Sequence, residues 1–265
     1  MAIAGGERTM SQLRGKTALV TGGSRGLGEF IAEAFVKAGA KVYISSRKVA
    51  VCDAIAAELS AHGECISLPF DLADSTGIEA LAGELKARET RLDILVNNAG
   101  ATWGAPLEDF PEDGWDRVMD LNVKSVFFLT QKLLPLLRTA ATPADPARII
   151  NIGSIAGTHV GRGGTNYSYV ASKAAVHHVT RMLAAQLGAD NITVNGLAPG
   201  PFETKMMEFA LNDPATRERI EQSIPLGRVG GAEDIAGVAL FLCDRAAAYI
   251  SGAIIPLDGG AAAAR

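Results

Sequence analysis

The stretch TALVTGGSRGLGEFIAEAFVKAGAKVYIS, residues 17–45, decides the fold of this 265-residue chain. It opens with an apolar run at 17–21, passes through a glycine-rich turn into apolar residues at helical spacing over 27–38, and closes with a second apolar run at 41–45. A strand, a helix and a strand in this order form a βαβ unit, whose two strands pair in parallel. The stretch therefore predicts the beginning of an α/β protein.

The same alternation of strand and helix continues to the end of the chain. Uninterrupted apolar runs such as Ile94-Leu95-Val96 indicate strands that helices cover on both faces. The predicted strands are 17–21, 41–45, 65–70, 92–96, 148–152, 192–197 and 253–257, and the predicted helices include 27–38, 50–61, 78–88 and 171–187. We therefore predict a single domain at residues 15–265 with a doubly wound parallel sheet, and a flexible N-terminal leader at residues 1–14.

Composition and charge exclude several kinds of partner. The net charge of −4 gives no general attraction to nucleic acid or to an anionic membrane, and no run approaches the ~18 apolar residues of a membrane span. The three cysteines and four histidines lack the spacing of a disulfide framework or a metal site, and His177 and His178 are interpreted as helix surface and interface. We predict a cytoplasmic protein that binds no metal and no nucleic acid and does not insert into a membrane.

The turn after the first strand, TGGSRGLG at 21–28, has the composition of a phosphate-binding loop. Its glycines let the backbone approach a pyrophosphate, whose charge is met by free N–H groups at the start of the next helix. The alternative is a glycine-rich turn without a ligand. The residues predicted to contact a dinucleotide here are Gly22, Ser24, Arg25, Gly26, Leu27 and Gly28.

The end of the second strand indicates which dinucleotide is bound. Where an NAD enzyme usually has an acid that holds the ribose, this chain has Ser45, Ser46, Arg47 and Lys48. Arg47, together with Arg25, can hold a 2′-phosphate through charge-assisted hydrogen bonds, although each arginine alone also fits a solvated surface position. We predict NADP(H) rather than NAD(H), with Ser46 and Arg47 in contact with it.

Polar and small residues also follow the third and fourth strands. Asp71 and Leu72 are predicted near the adenine, and Asn98, Ala99 and Gly100 are predicted where a strand end passes close to the cofactor. Each of these segments alone could be a capping or turn element.

Tyr169 and Lys173 lie four residues apart in a helical segment and so share one face. A neighbouring ammonium favours phenolate and is expected to lower the tyrosine pKa from about 10 toward the range of general acid–base catalysis. Tyr167, six residues from Lys173, lies roughly 120° away around the helix and is assigned to the substrate pocket or to packing.

Two further polar residues are candidates for the same site. Ser154 follows the fifth strand, where its hydroxyl can bind a substrate oxygen or only satisfy backbone groups. Asn122 is polar where an amphipathic helix requires an apolar residue, so its amide must be paired either with backbone groups or with a water that serves Lys173.

Taken together, these motifs resemble those of the classical short-chain dehydrogenase/reductase family over residues 16–260. The matching elements are TGGSRGLG at 21–28, NNAG at 97–100, Asn122, Ser154, YVASK at 169–173, Pro199-Gly200 with Thr204, and LDGG at 257–260. The resemblance implies a Rossmann fold with a seven-stranded parallel sheet, a homotetramer, and a catalytic tetrad of Asn122, Ser154, Tyr169 and Lys173.

The resemblance also implies a role for each residue. Tyr169 donates a proton to the substrate carbonyl, Ser154 orients the substrate, Lys173 holds the nicotinamide ribose, and Asn122 supports a proton-relay water. Tyr169 and Lys173 thus also contact the cofactor. The further implied cofactor contacts are Ile152, Pro199, Gly200, Phe202 and Thr204, and the segment from 202 to about 225 is implied to be a mobile lid over the substrate.

Within the family, the chain looks like the NADPH-dependent 3-oxoacyl-thioester reductases of the rhamnolipid-pathway type. Sugars, polyols, steroids and xenobiotic carbonyls are alternative substrates, and a non-catalytic dinucleotide sensor is a remote alternative. The chain departs from the family pattern at two places. The segment 159–164 lengthens a loop, and Asp145 and Asp190 lie where carrier-protein reductases present arginines. Arg138 and Arg148 are the residues that could compensate.

Overall fold

The computed structural model describes residues 13–160, 164–205 and 207–264. Seven strands in these residues form one sheet in the order β3-β2-β1-β4-β5-β6-β7, with every neighbouring pair parallel. The strands are β1 Thr17–Thr21, β2 Lys41–Ser45, β3 Cys65–Ser67, β4 Ile94–Asn97, β5 Ala147–Ile152, β6 Ile192–Pro199 and β7 Ile254–Leu257. The predicted seven-stranded Rossmann fold is confirmed.

Helices cover both faces of the sheet. They are α1 Gly26–Lys37, α2 Val49–Leu59, α3 Ser75–Arg88, α4 Glu112–Met119, α5 Ser125–Ala140, α6 Tyr167–Leu187, α7 Glu208–Leu211, α8 Pro214–Gln222 and α9 Ala232–Cys243. Apolar residues of α1, α2 and α9 form the core on one face, whereas those of α3, α5 and α6 form the core on the other. The strands are therefore buried between two helical layers, as their uninterrupted apolar runs require.

Most element boundaries lie within two residues of the prediction, and three differ by more: the end of β3, the start of α6, and the start of α3, which is at Ser75 rather than at residue 78. β3 ends at Ser67 rather than at residue 70, because its single partner β2 ends at Ser45 and offers no backbone to pair with beyond that point. Helix α6 begins at Tyr167 rather than at residue 171, because packing extends it: Ser168 is fully buried and the Tyr167 ring lies 5.6 Å from that of Phe110.

Residues 1–12 of the predicted leader lie outside the described residues. Leu13, which the prediction places in the leader, is buried in the core, and its N–H donates to the Ala38 carbonyl at 2.8 Å. Across the described chain, every helix is too short or too polar to traverse a bilayer. The three cysteines are buried and unpaired by disulfides.

A buried carboxylate fixes the amino ends of the strands. Asp93 is 3% exposed, accepts the backbone N–H of Thr17 at 3.0 Å, and pairs with Lys16 at 3.0 Å and with Arg91. This charge cluster ties the start of β1 to the start of β4, at the edge of the sheet opposite to the loops that carry the predicted site.

Candidate active site

The predicted site residues lie at the carboxyl edge of the sheet. The glycine loop follows β1, the serine and arginine segment follows β2, and Ser154 follows β5. Parallel strands bring their carboxyl ends to one edge, which is where ligands bind in open α/β sheets. The fold therefore collects these segments into one region.

The glycine loop leaves no room for side chains. Gly22 and Gly26 have φ values of +63° and +56°, which disfavour any other residue. At Gly28 a Cβ atom would overlap the Asn98 amide and the Gly22 carbonyl. The loop leads into α1, whose N-cap residue Arg25 makes no side-chain capping bond. The N-cap side chain therefore leaves the first turn of α1 open to an anion, although the Gly26 N–H already bonds with Glu29.

Asn98 and Thr21 hold this loop in place. The Asn98 amide donates to the carbonyls of Thr21 at 2.8 Å and Gly22 at 3.1 Å, and the backbone N–H groups of Asn98 and Ala99 donate to the Thr21 hydroxyl at 2.9 and 3.0 Å. Asn98 thus supports the loop with its side chain. Thr21 was missed as a site residue because a threonine at a strand end has no distinctive pattern in sequence.

The ends of β2 and β3 carry hydroxyls without partners. The Oγ atoms of Ser45, Ser46 and Ser67 are buried and lack hydrogen bonds among the described residues. Arg25 and Arg47 are exposed beside this end of the sheet. Unpaired buried donors next to two cations form a suitable place for an anionic, oxygen-rich ligand.

Asp71 and Leu72 differ in what their side chains offer a ligand: the Asp71 carboxylate is exposed, whereas the Leu72 side chain is buried. The Asp71 carboxylate accepts the backbone N–H of Ala73 at 3.0 Å, which is the turn role left open from the sequence. Leu72 is 3% exposed and its side chain packs into the core. Leu72 therefore offers only its backbone at this position.

Lys173 lies buried beneath Tyr169. Its Nζ atom is 5.6 Å from the centroid of the Tyr169 ring and donates to the Ile152 carbonyl at 2.8 Å. The side chain is 5% exposed, and this desolvation lowers the pKa of Lys173 to about 8. The ammonium can therefore exchange a proton close to neutral pH, and the Ile152 carbonyl holds it in place.

The expected lowering of the tyrosine pKa is wrong for this structure. Burial raises the pKa of Tyr169, and a side-chain hydrogen bond with Ser154 opposes this only in part. The physical reason is that Lys173 directs its charge at the Ile152 carbonyl rather than at the phenol oxygen. Tyr169 therefore carries its proton at neutral pH, as a proton donor must.

Asn122 lies in a π-helical turn, Asp120–Lys124, between α4 and α5. The side chain is 1% exposed; it accepts the Ala101 N–H at 2.8 Å and donates to the Ala101 carbonyl at 3.0 Å and to the Ser172 hydroxyl at 2.9 Å. Of the two alternatives left open from the sequence, these contacts favour pairing with protein groups. Asn122 joins the loop after β4 to helix α6, next to Lys173.

Ser154 lies at the start of a short 3₁₀ turn after β5, where its hydroxyl accepts the Ala156 N–H at 3.2 Å and its side chain lies close to the Tyr169 phenol. After β6, the Gly200 N–H donates to the Leu257 carbonyl at 2.9 Å, which fixes the Pro199-Gly200 turn. The methyl group of Thr204 lies 3.3 Å from the position of a Cβ on Gly26, so this segment reaches the glycine loop.

Phe202 is buried, whereas Phe209 in the segment that follows it is exposed. The Phe202 side chain is 3% exposed and packs against Gly230, so it faces the core rather than a ligand. The predicted lid contains α7 and α8, and Phe209 on α7 is 83% exposed; residue 206 lies outside the described residues. The role of this segment as a lid over the substrate stays a prediction.

A buried amide network beneath the site was missed from the sequence. Asn97 donates to Asn151 at 2.8 Å and to Thr130 at 3.2 Å, and Asn151 donates to Thr180 at 2.9 Å. The network links β4 and β5 to α5 and α6. The available signal was an asparagine at the end of each of two successive apolar strands, where a buried amide needs partners.

The sequence matches known proteins over nearly its whole length. A family model described as enoyl-(acyl carrier protein) reductase matches residues 22–262. The rhamnolipids biosynthesis 3-oxoacyl-[acyl-carrier-protein] reductase of Pseudomonas aeruginosa is 49% identical over 94% of this chain and 96% of the relative. This chain belongs to the short-chain dehydrogenase/reductase family.

Other short-chain dehydrogenase/reductase proteins agree with this assignment. Gluconate 5-dehydrogenase of Gluconobacter oxydans is 34% identical, with 94% of this chain and 95% of the relative covered. The solved Pseudomonas aeruginosa RhlG/NADP active-site complex superposes with a TM-score of 0.92 at 48% identity, covering 95% of this chain and 98% of that one. The chain is an oxidoreductase of this family, and the predicted resemblance is confirmed.

In this short-chain dehydrogenase/reductase the two arginines that could compensate both contact groups of their own chain. Arg148 is 3% exposed and its Nε donates to the Leu242 carbonyl at 3.1 Å, so its side chain is unavailable to a partner. Arg138 is exposed but pairs with Asp190 at 2.9 Å, which offsets its charge. Of the two arginines that could compensate, Arg148 is therefore excluded by its burial, whereas Arg138 stays at the surface.

Proposed function

We propose that this chain reduces a 3-oxoacyl thioester to the 3-hydroxyacyl thioester with NADPH. The observation that carries the proposal is the 49% identity to the rhamnolipids biosynthesis 3-oxoacyl-[acyl-carrier-protein] reductase, which extends over 94% of this chain. The juxtaposition of Tyr169, Lys173 and Ser154 supports the same reaction, because it pairs a proton donor with a hydroxyl that can bind a carbonyl oxygen.

The residues present fit NADPH. Gly22, Gly26 and Gly28 allow the backbone of the loop to come close to a pyrophosphate. Backbone N–H groups at the start of α1 would face that pyrophosphate. The unpaired Ser46 hydroxyl and the exposed Arg25 and Arg47 would hold a 2′-phosphate. Gly100, Ile152, Pro199, Gly200 and Thr204 remain proposed contacts at the nicotinamide end.

The chain's own residues supply the proton and the orientation. The bound cofactor supplies the hydride for the carbonyl carbon. Tyr169 breaks its O–H bond and donates the proton to the carbonyl oxygen, while the Ser154 hydroxyl donates a hydrogen bond to that oxygen. The tyrosinate regains its proton from solvent through a bridging hydroxyl or water next to Lys173, whose pKa of about 8 lets it join that relay. Asn122 fixes the position of helix α6 relative to the loop after β4 through its hydrogen bonds to both.

The proposed activity is tested by following NADPH consumption with four substrates. They are a medium-chain 3-oxoacyl thioester, the matching 2-enoyl thioester, a 5-keto sugar acid and an aromatic diketone. We expect the 3-oxoacyl thioester to give the highest kcat/KM. Higher kcat/KM with the sugar acid would instead support the activity named for the Gluconobacter relative, and reduction of the enoyl double bond alone would overturn a carbonyl reductase.

Removing the two arginines is expected to abolish the preference for NADPH. Arg25→Ser combined with Arg47→Ser should raise the KM for NADPH by about 100-fold, because each charge-assisted hydrogen bond contributes about 1.5–3 kcal/mol. The KM for NADH should change by less than about threefold. Lys132→Ser, a substitution at an exposed lysine on α5, is the matched control. Equal losses for both dinucleotides would contradict a 2′-phosphate site.

We further propose that the chain forms a homotetramer in the cytoplasm. Exposed Phe127 and Phe128 on α5, with ring centroids 5.2 Å apart, support an apolar interface between copies. The three buried, unpaired cysteines are consistent with a reducing compartment. Light scattering after size exclusion tests the assembly, and a monomeric mass would contradict it.

A further inference from the structure

His177 lies directly beneath the segment that carries Ser154. It is on α6, one turn after Lys173, and is 2% exposed, whereas its neighbour His178 is exposed. The interpretation of His177 as helix surface is therefore wrong. Its position at the fourth residue after Lys173 puts it on the same face of α6 as Lys173 and Tyr169.

Two glycines enclose the His177 ring. A Cβ at Gly153 would overlap its Nε2 atom and lie 2.6 Å from Cδ2, and a Cβ at Gly157 would lie 2.7 Å from Cε1. These glycines border the turn that contains Ser154, whose carbonyl accepts the Gly157 N–H at 2.9 Å. The backbone on both sides of Ser154 thus packs directly against the imidazole, with no side chain between them.

The ring also contacts Ser154 through a hydrogen bond. The backbone N–H of Ser154 donates to His177 Nε2 at 3.5 Å, while Nδ1 is buried with no partner among the described residues. Burial, followed by the charges of Arg181 and Lys173, lowers the pKa of His177 to about 4. A neutral ring that accepts at Nε2 must carry its proton on Nδ1.

We propose that His177 is a positioning residue that fixes Ser154, and that it does so as the Nδ1–H tautomer with Nε2 accepting the Ser154 N–H. This inference deepens the proposed carbonyl reduction and rests on it. The ring acts through Ser154: it holds the backbone of the turn, and thereby the direction of the hydroxyl that lies close to the Tyr169 phenol. It contacts no reacting atom itself.

The tautomer can be measured whether or not the enzyme turns over a thioester. In wild-type protein labelled with ¹⁵N-histidine, assigned by comparison with His177→Gln, we expect the shifts of a neutral ring protonated at Nδ1 at pH 7. A ring protonated at Nε2, or a charged ring, would overturn the proposed hydrogen bond. This result stands independently of which carbonyl substrate the protein reduces.

Kinetics test the positioning role. His177→Met, which keeps volume and offers only a weak thioether acceptor, should lower kcat by about 10- to 100-fold with the KM for NADPH within about twofold of wild type. His177→Gln, whose amide oxygen can accept the Ser154 N–H, should recover most of the loss. His178→Met, at the adjacent exposed histidine, should behave as wild type.

A double-mutant cycle separates positioning from general packing. In a Ser154→Ala background, His177→Met should cause no further loss of kcat, because the hydroxyl that it positions is absent. Full, additive loss in that background would overturn the proposal, as would wild-type kcat in the single variant. If wild type reduces no carbonyl substrate, the proposed function fails, and the ¹⁵N shifts alone decide whether His177 holds Ser154 as described.

Discussion

Tyr169→Phe is expected to lower kcat by about 10³-fold while leaving the fold unchanged and the affinity for NADPH within about fivefold of wild type, since one cofactor contact is lost. The substitution removes only the phenol oxygen, and with it the proton that the carbonyl oxygen must receive. The ring stays in its place above Lys173, since Nζ lies 5.6 Å from the ring centroid and makes its hydrogen bond to Ile152 instead. Steady-state turnover of the best carbonyl substrate, with NADPH binding followed by fluorescence, measures both quantities.

Tyr167→Phe provides the matched control for this variant. Tyr167 is on the same helix, two residues earlier, and its ring packs edge-on against Phe110 at 5.6 Å. Removing its hydroxyl keeps that packing, so kcat should stay within about threefold of wild type. Comparable losses in both variants would show that the helix, rather than the Tyr169 hydroxyl, is responsible.

Lys173→Met is expected to lower turnover strongly and to change the pH dependence of stability. Turnover should fall by about 10²- to 10³-fold, because the ammonium that serves the tyrosine and the nicotinamide ribose is lost. Met retains the length and volume of the aliphatic stem, so the packing beneath Tyr169 is kept. Carbonyl reduction by the variant at the wild-type rate would exclude Lys173 from the mechanism.

The sign of the stability effect follows from the buried charge. Desolvation lowers the pKa of Lys173 from 10.5 to about 8 in the folded chain, so between pH 8 and pH 10.5 the unfolded chain binds more protons. Wild-type stability relative to Lys173→Met should therefore rise by ~3 kcal/mol as the pH increases through this window. Urea unfolding of both proteins at pH 7, 9 and 10.5 measures it, and Lys132→Met is the exposed control. A constant difference would contradict a desolvated ammonium.

Local sequence patterns predicted the parts of the site that depend on local geometry. Tyr169 and Lys173 share a face because four residues of helix separate them, and the glycines of the β1–α1 turn are needed wherever a backbone adopts positive φ. The alternation of apolar runs likewise predicted all seven strands. The five inner strands are buried almost throughout, whereas the edge strands β3 and β7 are partly exposed.

Long-range contacts could not be predicted in the same way. The Asn97–Asn151 pair depends on the register of β4 against β5, which packing of the whole sheet sets. The pKa of Tyr169 depends on where Lys173 directs its ammonium, and that is fixed by the Ile152 carbonyl on β5. His177 was predictable in part, because helical spacing places it on the face of Tyr169 and Lys173, but two glycines over its ring are visible only in three dimensions.

The separation of the Asp93 cluster from the reactive groups has a consequence for engineering. β1 begins beside Asp93 and ends at the glycine loop, so its five residues place about 13 Å between the two edges of the sheet. Substitutions at this distance without shared partners usually have additive effects on free energy. Substitutions around Asp93 that raise stability can therefore be combined with substitutions around the active site that change substrate range. The two sets can be selected in either order.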